Sequence, residues 1–198
     1  MIVNTATRII ETDGQEALSM RGLASQIDLS PAAIYKYFDS KEEILDAVRK
    51  RALKRLQQSF AITEKLNGSP IDDVRNACRT LLDFAIEETA LYMLIYERSD
   101  HRRPDYKHIF NTFHFRYMQE KLRKARRAGL LNLPTGFNEE MLVMQLWTCI
   151  HGCVTLRQSL MAGEPIFKQV SDHMLDTMLD NLENPQDQWS VPRGAAVE

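Results

Sequence analysis

No run of 18 or more apolar residues occurs in this 198-residue chain, so no segment reads as a membrane-spanning helix. Strand signals are missing as well: there is no sustained apolar–polar alternation and no Asn-Gly or Asp-Gly hairpin between β-branched runs. Cysteine is sparse and odd in number, at Cys78, Cys149 and Cys153, which argues against a disulfide framework and suits a reducing compartment. The opening MIVNTATRIIETDGQ lacks the basic-then-apolar layout of a secretory signal, and a cytoplasmic location is the expectation. Charge of one sign is also lacking. A net charge of −2 gives no bulk attraction to a polyanion, although a local patch can hide within it, and residues 1–56 carry nine basic against eight acidic side chains. No nucleophile–base–acid set, glycine-rich phosphate loop or paired carboxylates stands out, so neither catalytic residues nor a cofactor is expected.

What is present is helical periodicity. Ile2, Ala6, Ile9 and Ile10 form a first stripe closed by Gly14, and Met20, Leu23, Ala24 and Ile27 form a second with Ser19 as its cap. A short third helix opens at Ser30-Pro31. Ser40 followed by Glu43 is a capping box for a long fourth, striped by Ile44, Leu45, Val48, Ala52, Leu56 and Phe60. NGSP at 67–70 breaks the pattern. Five further helices are expected, over about 71–88, 89–97, 105–128, 138–162 and 166–182, followed by a disordered tail.

The third helix poses the functional question. In LSPAAIYKYF (29–38), Ile34 and Phe38 share one face, while Ala32, Ala33, Lys36 and Tyr37 share the opposite one. Two short helices joined by Asp28-Leu29-Ser30 and backed by a third make a helix-turn-helix, whose second helix lies in the major groove. Alanines let the backbone approach base edges, Lys36 reaches a phosphate or a guanine, and tyrosine hydroxyls bind phosphates. Helix starts at Ser30 and Ser40, with Lys41 beside the latter, offer N–H groups to phosphates.

The segment SMRGLASQIDLSPAAIYKYFDSKEEILDAV (19–48) resembles the DNA-binding segment of the TetR family of one-component regulators. The likeness rests on Leu23-Ala24, Leu29-Ser30, Ile34-Tyr35, Tyr37-Phe38, Ser40-Lys41-Glu42 and Ile44-Leu45. It implies an all-α homodimer in which a three-helix helix-turn-helix domain (1–48) is joined by a long helix to a C-terminal helical bundle. That bundle (49–184) binds an effector and dimerises, ahead of a tail at 185–198, for about nine helices in all. It further implies phosphate contacts from Arg21, Tyr35 and Lys41, base-facing Pro31, Ala32, Ala33 and Lys36, and Tyr37 on backbone or base. Two departures from the family pattern are Asp28, where glycine usually stands in the turn, and Ala32, where many members have glycine. LWTCIHG (146–152) resembles the motif of a TetR subgroup named for Trp-His-Gly.

In the C-terminal part, Phe84, Tyr92, Tyr96, Phe113, Tyr117 and Met144, with Trp147 and His151 one turn apart, are candidates for an effector cavity, the alternative being plain core. The expected partners are a double-stranded DNA operator, a small apolar or aromatic effector and a second copy of the chain, with no membrane. The dimer is expected through the last two long helices, one striped by Val170, Met174, Met178 and Leu182 and widened by Leu175 and Leu179, the other apolar nearly all round from Met141 to Val154. Cys149, His151 and Cys153 do not make a metal set, because His151 lies roughly 160° around the helix from either cysteine. His101, His108, His114 and His173 lack metal spacing and read as exposed or half-buried. The basic runs RKRALKR (49–55) and KLRKARR (121–127) read as solvated faces, the first with a possible role in long-range attraction. An interaction protein that keeps the fold without binding DNA is the competing reading.

Overall fold

A computed structural model describes residues 1–63, 68–96, 111–131, 133, 136–160 and 166–183. The described residues form nine α-helices and no strand: α1 Ile2–Asp13, α2 Met20–Gln26, α3 Pro31–Tyr35, α4 Lys41–Thr63, α5 Pro70–Glu87, α6 Thr89–Tyr96, α7 Phe113–Arg127, α8 Glu139–Leu160 and α9 Ile166–Glu183. They fall into two compact units, Met1–Ile62 with Leu81–Phe110, and Thr63–Thr80 with Asn111–Glu198. Helix α5 contributes to both.

In the first unit the expected caps are made. Gly14, at φ 82°, donates its N–H to the Ile10 carbonyl and ends α1. Ser19 Oγ accepts from Gly22 N (3.1 Å), Ser30 Oγ from Ala33 N (3.2 Å) and Ser40 Oγ from Glu43 N (3.2 Å). Glu43 closes its box one residue early, accepting from Asp39 N at 2.7 Å. Asp28 supplies the left-handed turn with φ 53°, alone among the described non-glycine residues. Its short polar side chain makes that conformation tolerable, and the turn forms without glycine. Ile9, Ile10, Leu18, Leu23, Ile34, Ile44, Leu45, Val48, Leu56 and Phe60 build this unit's core.

The basic run on α4 is mostly built into the fold. Arg49 is buried; its Nε–H donates to the Leu94 carbonyl of α6 (2.8 Å), and its guanidinium pairs with Asp46 and faces Glu42 at 3.7 Å. Arg55 bridges Glu11 of α1 (2.7 Å) and Glu88 (3.0 Å), and these carboxylates raise its pKa against the opposing effect of burial. Arg51 binds Asn4. Lys50 and Lys54 remain exposed.

In the second unit α8 packs between α7 and α9. Phe115, Met118, Leu122, Leu142, Val143, Leu146, Ile150, Phe167, Leu175 and Leu179 are buried. Arg75 and Arg79 of α5 hold α9 through Asp176 (2.9 Å each), and Arg75 also reaches Asp180 (2.7 Å). Helix α7 opens at Phe113, not near Asp105: Asn111 is in a turn and Thr112 is extended (φ −69°, ψ 156°), so no helix runs through them. Residues 105–110 of that expectation, and the tail, lie outside the described residues. The second basic run is also paired, Lys121 with Asp73 of α5 (2.6 Å), Lys124 with Glu120 one turn away (3.0 Å) and Arg126 with Glu139 of α8 (3.2 Å). Lys124, Arg126 and Arg127 also sit in the last turn of α7, where cations complement the helix dipole.

Two expectations need correction, for α8 and for His114. Helix α8 is not apolar all round, since Gln145, Thr148, Gly152, Thr155 and Ser159 form an exposed polar and small-residue side. On α9, Phe167, Ser171, Leu175 and Leu179 pack into the protomer's own core, while Val170 and Met174 face out, 46% and 42% exposed, on the side expected to meet a second copy. His114 is neither exposed nor half-buried; it is 2% exposed in the first turn of α7.

Candidate nucleic-acid interface

Helix α3 has one fully buried residue, Ile34, with Phe38 half-buried just beyond its end. The rest of it faces outward. Pro31, Ala32, Tyr35, Lys36 and Tyr37 are exposed, and Ala33 is half-buried. Tyr35 and Tyr37 are 51% and 71% exposed, whereas Tyr92 and Tyr96 are buried and Tyr117 half-buried. Two phenols left in water beside a lysine and two alanines make a surface with hydroxyl and ammonium donors and room for close approach. That is what phosphates and base edges require. Arg21 is exposed in the first turn of α2, which packs on α3, and Ser30 is exposed at the turn between them.

Helix α3 has five residues and adds little dipole of its own, while α4 has 23. The N-terminus of α4 carries the larger dipole, with Lys41 half-buried in its first turn beside Glu42 and Glu43.

The proposed effector residues are distributed between the units. Phe84, Tyr92 and Tyr96 are buried in the first, where the Tyr92 and Tyr96 rings lie 4.7 Å apart. Burial, with Tyr92 adding to it, holds the Tyr96 phenol well above its ordinary pKa, so it stays a neutral donor. Phe113, Tyr117, Met144, Trp147 and His151 are half-buried in the second. There Trp147 stacks on His151 (5.1 Å, 28°) and takes the edge of Phe115 (6.0 Å, 72°), while Phe113 and Tyr117 are 6.2 Å apart. Lys121 stands 5.0 Å above the Tyr117 ring. Sequence reasoning missed Arg49, whose partner lies across a long separation that local pattern does not encode. No group of three or more metal-ligating side chains gathers among the described residues.

Residues 2–48 match the sequence profile of bacterial regulatory proteins of the tetR family, and residues 74–182 that of the tetracyclin repressor-like C-terminal domain. The nicotine-responsive transcriptional repressor HdnoR of Paenarthrobacter nicotinovorans is 25% identical over 187 residues, covering 91% of this chain and 93% of that protein. A Rhodococcus sp. RHA1 protein of unknown function shares the fold with a TM-score of 0.74 at 21% identity, covering 92% of this chain and 93% of that one. A Saccharomonospora viridis protein in complex with choline shares it with a TM-score of 0.68 at 19% identity, covering 92% and 94%. With the reading helix and both parts of the chain accounted for, the protein belongs to the TetR family and is a DNA-binding transcriptional regulator, not an enzyme.

Proposed function

We propose that the protein is a cytoplasmic repressor that binds a palindromic operator as a two-fold dimer and is released by a small apolar or aromatic effector. The carrying observation is the outward side of α3, with its exposed Tyr35, Lys36 and Tyr37. In this reading residues 1–48 form the operator-binding part, and 49–184 hold the effector and the dimer contact. Trp147, His151 and Gly152 support membership of the Trp-His-Gly subgroup.

Arg21, Tyr35 and Lys41 contact phosphates, Ser30 presents the start of α3, and Tyr37 meets backbone or base. Pro31, Ala32, Ala33 and Lys36 face bases. Removing the Lys41 charge (Lys41→Ala) is expected to weaken binding to every duplex and to lower the salt slope by about one. Lys36→Ala or Ala33→Ser is expected instead to change the preferred base pairs, at about 1–3 kcal/mol per good base contact. Selection from random duplexes tests the whole reading: a palindrome with half-sites about 34–36 Å apart, or a multiple of that, supports it, and the absence of any preference defeats it.

The dimer is assigned to α8 and α9. Met141, Leu156, Leu160, Ile166, Val170 and Met174 are 42–77% exposed, an apolar set that a second copy would cover. Gly152 lies on the exposed side of α8, and a β-carbon there meets nothing within 4 Å. Within one protomer that glycine only weakens the helix, by roughly 0.5–1 kcal/mol relative to alanine. Close approach of a partner helix gives it a purpose. Gly152→Leu is expected to raise the dimer dissociation constant at least about tenfold in sedimentation, a penalty of about 1.4 kcal/mol or more. An unchanged constant removes this contact from the interface.

For the effector, the nicotine-responsive relative and the choline-bound structure indicate where to begin. Both compounds carry a positively charged nitrogen on a small organic body, which aromatic faces attract. Coupling between operator and effector must be reciprocal, each changing the other's affinity by the same factor.

A further inference from the structure

The second unit gathers every cysteine of the chain. Cys78 of α5 is fully buried with its sulfur 4.0 Å from that of Met118, and burial pushes its thiol up to about 12. Cys149 and Cys153 sit one turn apart on α8, Cys149 half-buried and Cys153 buried. At i and i+4 the two side chains share one face of α8.

We propose that Cys149 and Cys153 form a two-thiol site for a soft, thiophilic ion, the class of trivalent arsenic, mercury(II) and copper(I). Geometry separates this from a disulfide. Helical β-carbons at i and i+4 lie about 5–6 Å apart, whereas a disulfide needs roughly 3.5–4.5 Å. An intact α8 therefore keeps the sulfurs from bonding directly. An atom between them, with bonds near the 2.3 Å of zinc–thiolate, spans the gap without moving the backbone. Ligand type selects the guest. His151 is turned to Trp147 instead, and no third metal-ligating side chain joins the pair among the described residues. A tetrahedral zinc site is thus not served, while thiolates alone favour soft ions.

With an organoarsenic(III) oxide, both S–H bonds and the arsenic–oxygen double bond break, two arsenic–sulfur bonds form, and the oxygen leaves as water. Arsenic stays trivalent, so no electron acceptor is needed.

Phenylarsine oxide titrated into the reduced full-length chain, followed by intact mass and free-thiol counting, tests the site. The assay contains no DNA, so it is independent of the operator reading. One arsenic per chain with loss of two thiols is expected. Cys149→Ala and Cys153→Ala should each weaken binding by about 10²–10⁴, the advantage of an intramolecular second bond, while Cys78→Ala leaves it unchanged. Circular dichroism checks that each variant is folded, and the serine versions replace any that is not. The proposal is overturned by single variants that bind as tightly as the parent, by dependence on Cys78, or by a parent that takes up no arsenic at stoichiometric concentration. Ready formation of a Cys149–Cys153 disulfide at full helix content overturns it as well.

Discussion

Between pH 6.5 and 5 the protein is expected to lose stability with an excess slope that disappears in His114→Gln. Burial at the start of α7 depresses the His114 pKa from 6.5 to about 3, while Thr112 Oγ1 lies 3.3 Å from its Nε2 and the Phe115 ring lies tilted with its centroid 4.7 Å away. The unfolded chain therefore takes up a proton at this histidine well before the folded chain does. The stabilisation is complete above pH 6.5 and is lost progressively as pH falls toward 3. Where only the unfolded form is protonated, the slope approaches about 1.4 kcal/mol per pH unit. Below about pH 5 the carboxylates titrate too, so the interval above that is the clean one. Urea unfolding at several pH values, with exposed His173 replaced as a control, measures the effect. Parent and His114→Gln curves that run parallel through this interval would refute it.

The second large effect is expected at Arg49. Its Nε–H satisfies the Leu94 carbonyl at 2.8 Å and its guanidinium stands against Asp46 and Glu42. Methionine keeps the apolar stem and deletes the donor. A buried acceptor left without its partner costs about 1–3 kcal/mol, and both carboxylates lose a counter-charge, although solvent screens part of that loss. Arg49→Met is expected to lower Tm by roughly 4–10 °C, at about 2–4 °C per kcal/mol for a chain of this length. Arg51→Met, whose exposed partner is Asn4, should stay close to the parent. Equal Tm values for Arg49→Met and the parent would show that the bond to α6 carries no stability.

These two residues mark where sequence reading stops. Ser19, Ser30 and Ser40 were legible as caps because the hydrogen bond each makes closes within three residues. The reading helix was legible for the same reason: one turn defines which side holds Ile34 and which holds Lys36 and Tyr37. Arg49 finds its acceptor 45 positions away, and nothing in RKRALKR distinguishes the arginine that turns inward from the lysine beside it. His114 looks like any helix histidine until the fold buries it. The start of α7 was missed because the aromatic spacing continues through Asn111 and Thr112, although Thr112 is extended. On α8, counting apolar residues from Met141 to Val154 concealed that the intervening Gln145, Thr148 and Gly152 share one side.

Five residues make too short a helix to persist alone, since isolated helices below about 12–15 residues are marginal in water. Helix α3 owes its shape to Ile34, to the Ser30 cap and to α2 packed against it. Its outward residues take almost no part in that support. A duplicated gene can therefore replace Ala32, Lys36 or Tyr37 one at a time, at about ±0.5 kcal/mol of stability each, and reach a new recognition sequence without passing through an unfolded ancestor. The address read on DNA is free to diverge between lineages while the scaffold that presents it stays the same.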